Sequence, residues 1–398
     1  MDLGRFRLAY FTYFLYLGTA GPYLSKYLEE HDIPRGVIGG LAATRIWVAT
    51  FAAYFICRFA DSRGIRLKTQ RGLVAAAILV MGGWTLTDST PALFLVAVAV
   101  GLMLGPQIPM LDSSTLDALD GNRNRFGSVR YVGTVGWGVA AFVAPFLFGS
   151  MAHDRALVWV LVLCLISYLF ITLQLRDNQW RSQHVRPRLP VREVLRHSAL
   201  RSLLLAGFLH SVAFGNYEEF SALHFQAAGA SELETSIILI IGIATEVLVF
   251  LLVPRFLSDR NAITMGLIAI TVAGTRWMVM PEIKSVGALM LLQISHGITF
   301  GLWYTAATQI VGAAVPREVR TSGQALVAIS ITAGMGTGAL FGGILQGSVG
   351  TANAFRIAAS VSALSACVLL WSFKRLRNLK PLQFNAATGQ VSQQNLTY

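Results

Sequence analysis

Residues 155–175 read RALVWVLVLCLISYLFITLQL, with a single charged residue at the first position. A helix that crosses the hydrocarbon core of a bilayer needs about 20 predominantly apolar residues, and this run meets that length. Similar blocks recur along the chain and predict twelve membrane-spanning helices, numbered here as spans 1 to 12. They occupy residues 7–28, 36–57, 72–88, 91–115, 127–151, 155–175, 202–226, 234–256, 263–280, 285–310, 319–347 and 352–373. The sequence therefore predicts an all-α integral membrane protein.

The composition excludes a soluble globular protein. Of the 398 residues, 54% are hydrophobic and 13% are charged, and the mean hydropathy is +0.58. A typical soluble domain has about 25% charged residues. The net charge of +12 does not indicate nucleic-acid binding, because Lys and Arg cluster on every second loop between the apolar blocks. We expect the lipid bilayer to surround the chain and no nucleic acid to bind it.

The basic residues also predict the orientation. If both termini are cytoplasmic, most of the 32 Lys and Arg residues fall on cytoplasmic segments. The outer segments then hold Lys26, Arg35, Arg155, Lys284 and Arg356. Cytoplasmic loops are enriched in Lys and Arg, so this distribution predicts a multi-pass protein of a bacterial-type inner (plasma) membrane with both termini in the cytoplasm.

The longest polar interruption divides the chain in two. We expect an N-terminal six-helix bundle (1–175), a cytoplasmic central loop (176–201), a C-terminal six-helix bundle (202–375) and a disordered cytoplasmic tail (376–398). The later part of the central loop is either a short amphipathic helix on the membrane surface or a solvated linker.

The two halves are weakly similar in sequence. Ala43-Thr44-Arg45 in span 2 recurs as Ala244-Thr245-Glu246 in span 8. Two pseudo-symmetric six-helix halves are typical of secondary transporters, in which the solute binds between the halves near the midplane of the membrane.

Nothing in the sequence indicates an enzyme or a bound cofactor. Cys57, Cys164 and Cys367 lie in or at the ends of apolar segments without paired spacing, so they predict neither a disulfide nor a metal site. The chain has no HExxH motif, and no spacing of a nucleophile and a base stands out. We expect no cofactor, no metal and a monomeric protein.

Two pairs of opposite charges lie at matching depths inside the spans. In two antiparallel helices, residues equidistant from the connecting turn lie at the same depth. Asp112 and Arg130 are related in this way by the turn between spans 4 and 5, and Glu246 and Arg276 by the turn between spans 8 and 9. An intramembrane charge costs at least about 2.5 kcal/mol, so each pair is either a structural clamp or part of a functional site.

Further charged residues extend these layers. The same reflection reaches Glu218 on span 7 and His296 on span 10. Glu218 and Glu219 are adjacent and point about 100° apart on a helix, so at most one of them faces a cavity squarely. Arg45 has no evident partner on the neighbouring spans, and it either lines a solvent cavity or contacts a helix dipole or carbonyl group.

Trp137 lies at i+7 from Arg130, on the same helix face. An aromatic ring above a guanidinium suits the apolar face of a sugar or a flat aromatic solute. The alternative is ordinary packing of the tryptophan.

The chain resembles the major facilitator superfamily over residues 5–375. The segment Arg58-Phe59-Ala60-Asp61-Ser62-Arg63-Gly64-Ile65-Arg66 is similar to its loop 2–3 signature, with Cys57 in place of the opening glycine. Phe126-Gly127-Ser128-Val129-Arg130, followed by Gly133 and Trp137, resembles the lactose permease segment that binds sugar. The stretches Tyr10-Phe11-Thr12-Tyr13-Phe14 and Arg276-Trp277 are similar to the phenylpropionate permease group. The resemblance implies the major facilitator fold and a gating role for Asp61, Gly64 and Arg66.

The resemblance also implies roles for the intramembrane residues. Asp112 and Arg130 match the solute-binding pair, Trp137 the stacking ring, and Glu246, Arg276 and His296 the solute and proton-coupling layer. Glu218 matches an acidic position on span 7. Lactose permease has a proton-accepting glutamate and a lysine one turn to either side of the histidine, where this chain has Thr299 and Gln293. The coupling residue is therefore not inherited, and Glu218, Glu219 or Glu246 must supply it. We favour Glu218, with Glu246–Arg276 as the switch.

These observations predict a proton-coupled symporter that imports a small organic solute, such as an aromatic acid or a sugar, by alternating access. The residues expected to bind the solute are Asp112, Arg130, Trp137, Arg45 and His296. Proton-driven efflux of amphipathic compounds is the alternative within the transporters, and a non-transporting solute sensor is the alternative from another class.

Overall fold

The structure is a computed structural model, which describes residues 3–84, 89–119, 123–150, 155–176, 196–253, 256, 261–316, 320–378, 382–385 and 390–392. Its helices are α1 (Leu3–Glu30), α2 (Arg35–Arg63), α3 (Arg66–Trp84), α4 (Thr90–Leu104), α5 (Gln107–Ala118), α6 (Arg123–Ser150), α7 (Ala156–Gln174), α8 (Ser198–Ala227), α9 (Glu232–Leu252), α10 (Ala262–Val279), α11 (Val286–Gln293), α12 (Trp303–Ala314), α13 (Arg320–Ser348), α14 (Thr351–Trp371) and α15 (Phe373–Arg377). A 3₁₀ turn (Met280–Glu282) follows α10, and a π-helix (Ile298–Leu302) precedes α12. The predicted central loop, residues 176–201, lies mostly outside the described residues.

The helices match the twelve predicted spans. Spans 4 and 10 are each built from two helices in series, α4 with α5 and α11 with α12. Among the described residues, nine helical segments are long and apolar enough to cross a membrane. The other three predicted spans correspond to α1, α3 and α6, helices of 28, 19 and 28 residues. The all-α membrane fold predicted from the sequence is confirmed.

The interruption of span 4 has a chemical cause. Proline lacks a backbone N–H and its ring clashes with the preceding helical turn, so Pro106 separates α4 from α5. Side chains bond to carbonyl groups at the break: the Tyr13 hydroxyl donates to the carbonyl of Leu104 at 2.9 Å, and the Gln107 amide donates to the carbonyl of Met103 at 2.8 Å. The break lies just before Asp112, which α5 carries.

The chain groups into two compact units. Unit 1 comprises Met1–Arg181, Glu218–Ile240 and Ala339–Ser348, and unit 2 comprises Ser182–Tyr217, Ile241–Gly338 and Val349–Tyr398. The end of α8, the start of α9 and the end of α13 therefore belong with the N-terminal helices in unit 1. Each unit has an apolar core of its own.

Within unit 1, α1 and α6 approach so closely that their contact requires glycine. A Cβ atom at Gly18 would lie 2.3 Å from the carbonyl oxygen of Trp137, and one at Gly136 would lie 2.5 Å from that of Phe11. Real Cβ atoms do not come this close, so only glycine allows the two backbones to touch. This contact sets the spacing between α1, which carries Tyr10 and Phe14, and α6, which carries Arg130.

The tail differs from the expected disorder. Strands β1 (Gln383–Asn385) and β2 (Gln390–Ser392) pair antiparallel. Leu382 is buried, and its backbone N–H donates to the carbonyl of Ala314 at 2.9 Å. A polar composition predicted disorder, but one apolar residue and one backbone hydrogen bond attach this segment to the end of α12.

Candidate solute and proton-coupling sites

Asp112 and Arg130 lie close together in unit 1, as their equal distances from the connecting turn predict. The Asp112 carboxylate lies 3.7 Å from Nε of Arg130, which is an ion pair but too long for a hydrogen bond. Tyr10 on α1 donates its hydroxyl proton to the same carboxylate at 2.6 Å. The tyrosine, rather than the arginine, is therefore the close hydrogen-bond partner of Asp112.

The Arg130 guanidinium lies against aromatic rings. Its central carbon is 4.3 Å from the ring centroid of Phe14 and 5.2 Å from that of Tyr10, within the range of a cation–π interaction. A Cβ atom at position 133 would lie 3.0 Å from both Nη1 of Arg130 and the Phe14 ring, so Gly133 leaves the room in which they meet. The Arg130 side chain remains 28% exposed, which leaves donors within reach of a ligand.

Trp137 was predicted either to stack on the solute beside Arg130 or to pack in the core, and the rings that contact Arg130 come from α1. Trp137 is half-buried and packs against the core of unit 1, with its backbone against Gly18. The i+7 spacing correctly placed the tryptophan on the same helix, but it did not account for the neighbouring helix, which reaches the guanidinium first.

Arg276 is the centre of a second cluster, in unit 2. It is 1% exposed, and its guanidinium lies 4.3 Å from the Tyr217 ring centroid and 4.9 Å from that of Trp277. Nη2 donates to the Gln293 side-chain oxygen, and Nη1 lies 3.3 Å from Nδ1 of His296 and 3.4 Å from the Thr299 hydroxyl. The Gln293 amide in turn donates to the Tyr217 hydroxyl at 2.6 Å. All these partners are uncharged groups or aromatic rings if His296 is neutral.

The orientation of His296 assigns its protonation. Arginine only donates hydrogen bonds, so the His296 Nδ1 that faces Arg276 must be the acceptor and the ring is neutral, with its proton on Nε2. That nitrogen points to the Glu246 carboxylate at 3.6 Å. The sequence predicted a direct contact between Glu246 and Arg276; in the structure His296 lies between them, so the three side chains form a row. Equal depth in two helices does not reveal a third side chain inserted between them.

The backbone around His296 is irregular. The π-helix at Ile298–Leu302 follows directly, and such wide turns are frequent at functional sites. Gly297 donates its N–H to the Thr245 hydroxyl at 3.2 Å, and a Cβ atom there would lie 2.4 Å from the Thr245 carbonyl oxygen. This close approach to α9 brings His296 within reach of Glu246, the residue that follows Thr245.

Arg45 and Glu219 line a cavity in unit 1. The cavity offers about 40 Å³ to the centres of water molecules, and its walls are mostly apolar. Arg45 acts electrostatically on the Glu219 carboxylate, which also accepts a hydrogen bond from the Ser25 hydroxyl. Of the two adjacent glutamates, Glu218 is exposed, whereas Glu219 is half-buried and lines the cavity.

The loop between α2 and α3 contains a charge cluster. Gly64 adopts the left-handed conformation (φ 67°) that ends α2. Arg66 then donates from Nε to Asp61 at 2.8 Å and from Nη1 to Asp117 on α5 at 2.6 Å. The sequence identified Asp61, Gly64 and Arg66 but missed Asp117, because the signature gives no information about the partner helix.

Sequence reasoning also missed Tyr10, Phe14, Tyr217 and Ser25. Tyr10 and Phe14 are four residues apart and so share a face of α1, which is a usable signal for a paired aromatic surface. Tyr217 and Ser25 carry no comparable pattern, because they reach their partners on helices that are not adjacent along the chain.

The sequence comparisons identify the chain as a multi-pass membrane transporter of small solutes. The chain belongs to the MFS_1 like family, whose model matches residues 3–357. It is 25% identical to the "Probable 3-phenylpropionic acid transporter" of Escherichia coli (strain K12), over 78% of this chain and 83% of that protein. It is 22% identical to the "Maltose permease" of Geobacillus stearothermophilus, over 84% of each chain. These relatives are transporters and not enzymes.

Solved structures show the same fold. The nucleoside transporter NupG superposes with a TM-score of 0.80 at 19% identity, covering 94% of this chain and 100% of that chain. A bacterial homologue of the human lysosomal transporter Spinster superposes with a TM-score of 0.73 at 15% identity, covering 94% and 96%. At these identities the likeness concerns the fold alone.

Proposed function

We propose that the protein is a proton-coupled symporter that imports a small aromatic carboxylate by alternating access. The observation that supports this most directly is Arg130, whose guanidinium lies against the rings of Tyr10 and Phe14 and is 3.7 Å from the Asp112 carboxylate. The name of the Escherichia coli relative points to the same class of solute.

A carboxylate suits Arg130 better than a neutral solute does. The guanidinium presents its N–H donors in a planar fork that matches the two oxygens of a carboxylate. Asp112 remains held by Tyr10 at 2.6 Å, so an incoming carboxylate does not have to break a short Asp112–Arg130 hydrogen bond. The neighbouring rings of Tyr10 and Phe14 are buried, so they hold the guanidinium in place and leave its exposed edge to the solute.

Proton coupling is supported by carboxylates within the spans. Glu218, Glu219 and Glu246 are the candidates, and Glu246 is separated from Arg276 by the neutral His296. Neutralising an intramembrane carboxylate changes its cost of burial, so proton binding biases the protein towards the conformation that buries it more deeply. The solute adds its own differential affinity, and the two equilibria are thereby linked.

The remaining features of the proposal concern topology. We place the protein in a bacterial-type inner membrane as a monomer, with cytoplasmic termini and with the halves 1–175 and 202–375 moving against each other. The basic residues support this orientation. Arg66 joins the end of α2 to the end of α5 through Asp61 and Asp117, and we propose that this cluster gates the cytoplasmic side.

The test is uptake of radiolabelled 3-phenylpropionate into proteoliposomes under an inward proton gradient. We expect accumulation that a protonophore abolishes. Arg130→Lys should abolish it, because an ammonium group is a point charge and cannot reproduce the planar fork. Arg356→Lys is the matched control, because Arg356 is 45% exposed and bonds to Glu282 and Asn353.

The outcomes separate the alternatives. Uptake that is equal in wild type and Arg130→Lys would contradict the proposed role of Arg130. Extrusion of 3-phenylpropionate from the proteoliposomes, driven by the inward proton gradient, would support proton-driven efflux. Binding of 3-phenylpropionate without flux would support a sensor. Thermal shift with 3-phenylpropionate, maltose and a nucleoside tests the solute class, since a ligand at 100 times its Kd stabilises by about 2.7 kcal/mol.

A further inference from the structure

Three polar contacts join the end of α1 to α8 and α9 within unit 1. The Tyr23 hydroxyl lies 2.6 Å from the Ser236 hydroxyl on α9. The Ser25 hydroxyl donates to Glu219 on α8, and Lys26 forms an ion pair with Glu232 at the start of α9. We call these three contacts the α1 latch. Of the three, the Ser25–Glu219 contact includes an acidic residue deep in a helix rather than at its end.

Glu219 also lines the cavity described above. Its charged or hydroxyl-bearing lining residues are Arg45, Glu219 and Tyr16. A water molecule needs about 10–15 Å³ and two to four polar partners, so a cavity of about 40 Å³ has room for a few water molecules beside Glu219. It is too small to hold an aromatic acid.

The charged and titratable neighbours of Glu219 are few. Helix α2 contributes Arg45 and α1 contributes Tyr16, while Glu218 adjoins it on α8. The facing residues of α3, α4 and α7, such as Met81, Leu93 and Leu161, are apolar. Lys26, which follows Ser25 on α1, forms ion pairs with Glu30 and Glu232. A single positive side chain, Arg45, therefore acts on Glu219 across the cavity.

We propose that Glu219 is the residue that binds the coupling proton and that its protonation opens the α1 latch; the inference rests on the proposed proton-coupled transport. A hydronium ion in the cavity gives its proton to a carboxylate oxygen of Glu219: an O–H bond of the hydronium breaks, an O–H bond forms on Glu219, and a water molecule remains, with no change in oxidation state. The neutral carboxyl loses its attraction to Arg45. Its hydrogen bond from Ser25 also changes from charge-assisted to neutral, which roughly halves its strength. The α1 latch then keeps its Tyr23 and Lys26 contacts but only a weakened contact from Ser25.

The transport test compares Glu219 with an exposed glutamate. Glu219→Gln should still exchange 3-phenylpropionate across the membrane but should not accumulate it, so the inside and outside concentrations become equal. Glu282→Gln is the control and should still accumulate it, because Glu282 is exposed and pairs with Arg356. Glu219→Asp, which keeps a titratable carboxyl group, should restore part of the accumulation. Full accumulation by Glu219→Gln, or a loss confined to Glu218→Gln, would overturn the assignment.

A second test needs no transport and separates this inference from the proposed function. Infrared difference spectra of purified protein, recorded on lowering the pH, should show a carboxylic-acid C=O band that Glu219→Gln removes and Glu218→Gln keeps. If this band is present but wild type never accumulates solute, the symport proposal fails while the proton site stands. If the band survives in Glu219→Gln, the site is elsewhere.

Opening of the latch can be probed by cysteine labelling. In a background with Cys57, Cys164 and Cys367 replaced by serine, Leu28→Cys at the end of α1 is labelled with a water-soluble maleimide at neutral pH; Leu28 is 4% exposed, so fast labelling requires this end of α1 to open. Glu219→Gln, which mimics the protonated residue, should speed the labelling several-fold, and Glu218→Gln should not change it. An unchanged rate in Glu219→Gln would show that protonation does not reach the latch.

Discussion

Removal of one hydroxyl group from Tyr10 tests the proposed solute site most sharply. Tyr10 donates to Asp112 at 2.6 Å, and this bond keeps the carboxylate 3.7 Å from Nε of Arg130. In Tyr10→Phe, Asp112 loses its hydroxyl donor and moves onto Arg130, where it competes with an incoming carboxylate. The aromatic ring beside the guanidinium is kept.

The size of the effect follows from the hydrogen bond. A bond to a charged group contributes about 1.5–3 kcal/mol. The Asp112 side chain is 33% exposed, so water replaces part of the lost bond and the lower limit applies. Every 1.4 kcal/mol is about a tenfold change in dissociation constant. We therefore expect the apparent affinity for 3-phenylpropionate to fall about tenfold.

The assay is concentration-dependent uptake or direct binding, with Tyr13→Phe as the matched control. Tyr13 lies on the same helix, is buried, and donates its hydroxyl to the backbone carbonyl of Leu104 rather than to Asp112. Tyr13→Phe should therefore lower thermal stability without changing affinity. An unchanged affinity in Tyr10→Phe, or equal losses in both variants, would refute the idea that Tyr10 restrains Asp112.

Three further predictions concern other parts of the molecule. Trp137→Ala should lower the unfolding temperature while changing the apparent Kd for 3-phenylpropionate less than Tyr10→Phe does, because the tryptophan packs against the core; a larger loss of affinity would restore it as a stacking residue. Gln293→Leu should lower the free energy of thermal unfolding by about 1–3 kcal/mol, because it leaves a buried Arg276 donor unpaired. Glu246→Gln should lower it far less, because Glu246 contacts His296 and not Arg276. Equal losses of stability in the two variants would contradict the position of His296 between Glu246 and Arg276. Gly64→Ala should cost about 1 kcal/mol through its left-handed backbone, measured in the same way, and no loss would mean that the loop relaxes.

Comparing distances from a connecting turn predicted contacts only between helices that follow each other along the chain. Asp112 with Arg130, and Arg276 with His296, lie on helices joined by one turn, where equal distance from that turn gives equal depth. Glu219 and Ser25 lie on helices that are far apart along the chain, so no single turn relates their depths. The fold class followed from composition and block length, but contacts between distant helices did not.

The depth of a side chain in the membrane was also more predictable than the direction in which it points. Glu246 and Arg276 lie at corresponding depths, yet His296 lies between them. His296 comes from the segment between α11 and α12, where a π-helix changes the direction in which its side chain points. Trp137 and Arg130 share a helix face, yet α1 supplies the nearer rings because Gly18 and Gly136 bring it so close. Irregular backbone and glycine contacts therefore decide which side chains meet, and neither follows from hydrophobic periodicity.

The two arginines differ in a way that favours an anionic solute. Arg130 has Asp112 beside it and retains an exposed edge, so it can exchange a loose internal contact for a ligand. Arg276 is buried, and its terminal nitrogens contact neutral groups, with Glu246 held off by His296. Its positive charge is therefore not cancelled by a direct contact, and in a medium of low dielectric constant such a charge acts over a long distance. Within unit 2, an anion close to Arg276 would gain from this charge and a neutral sugar would not, which supports the proposed carboxylate solute.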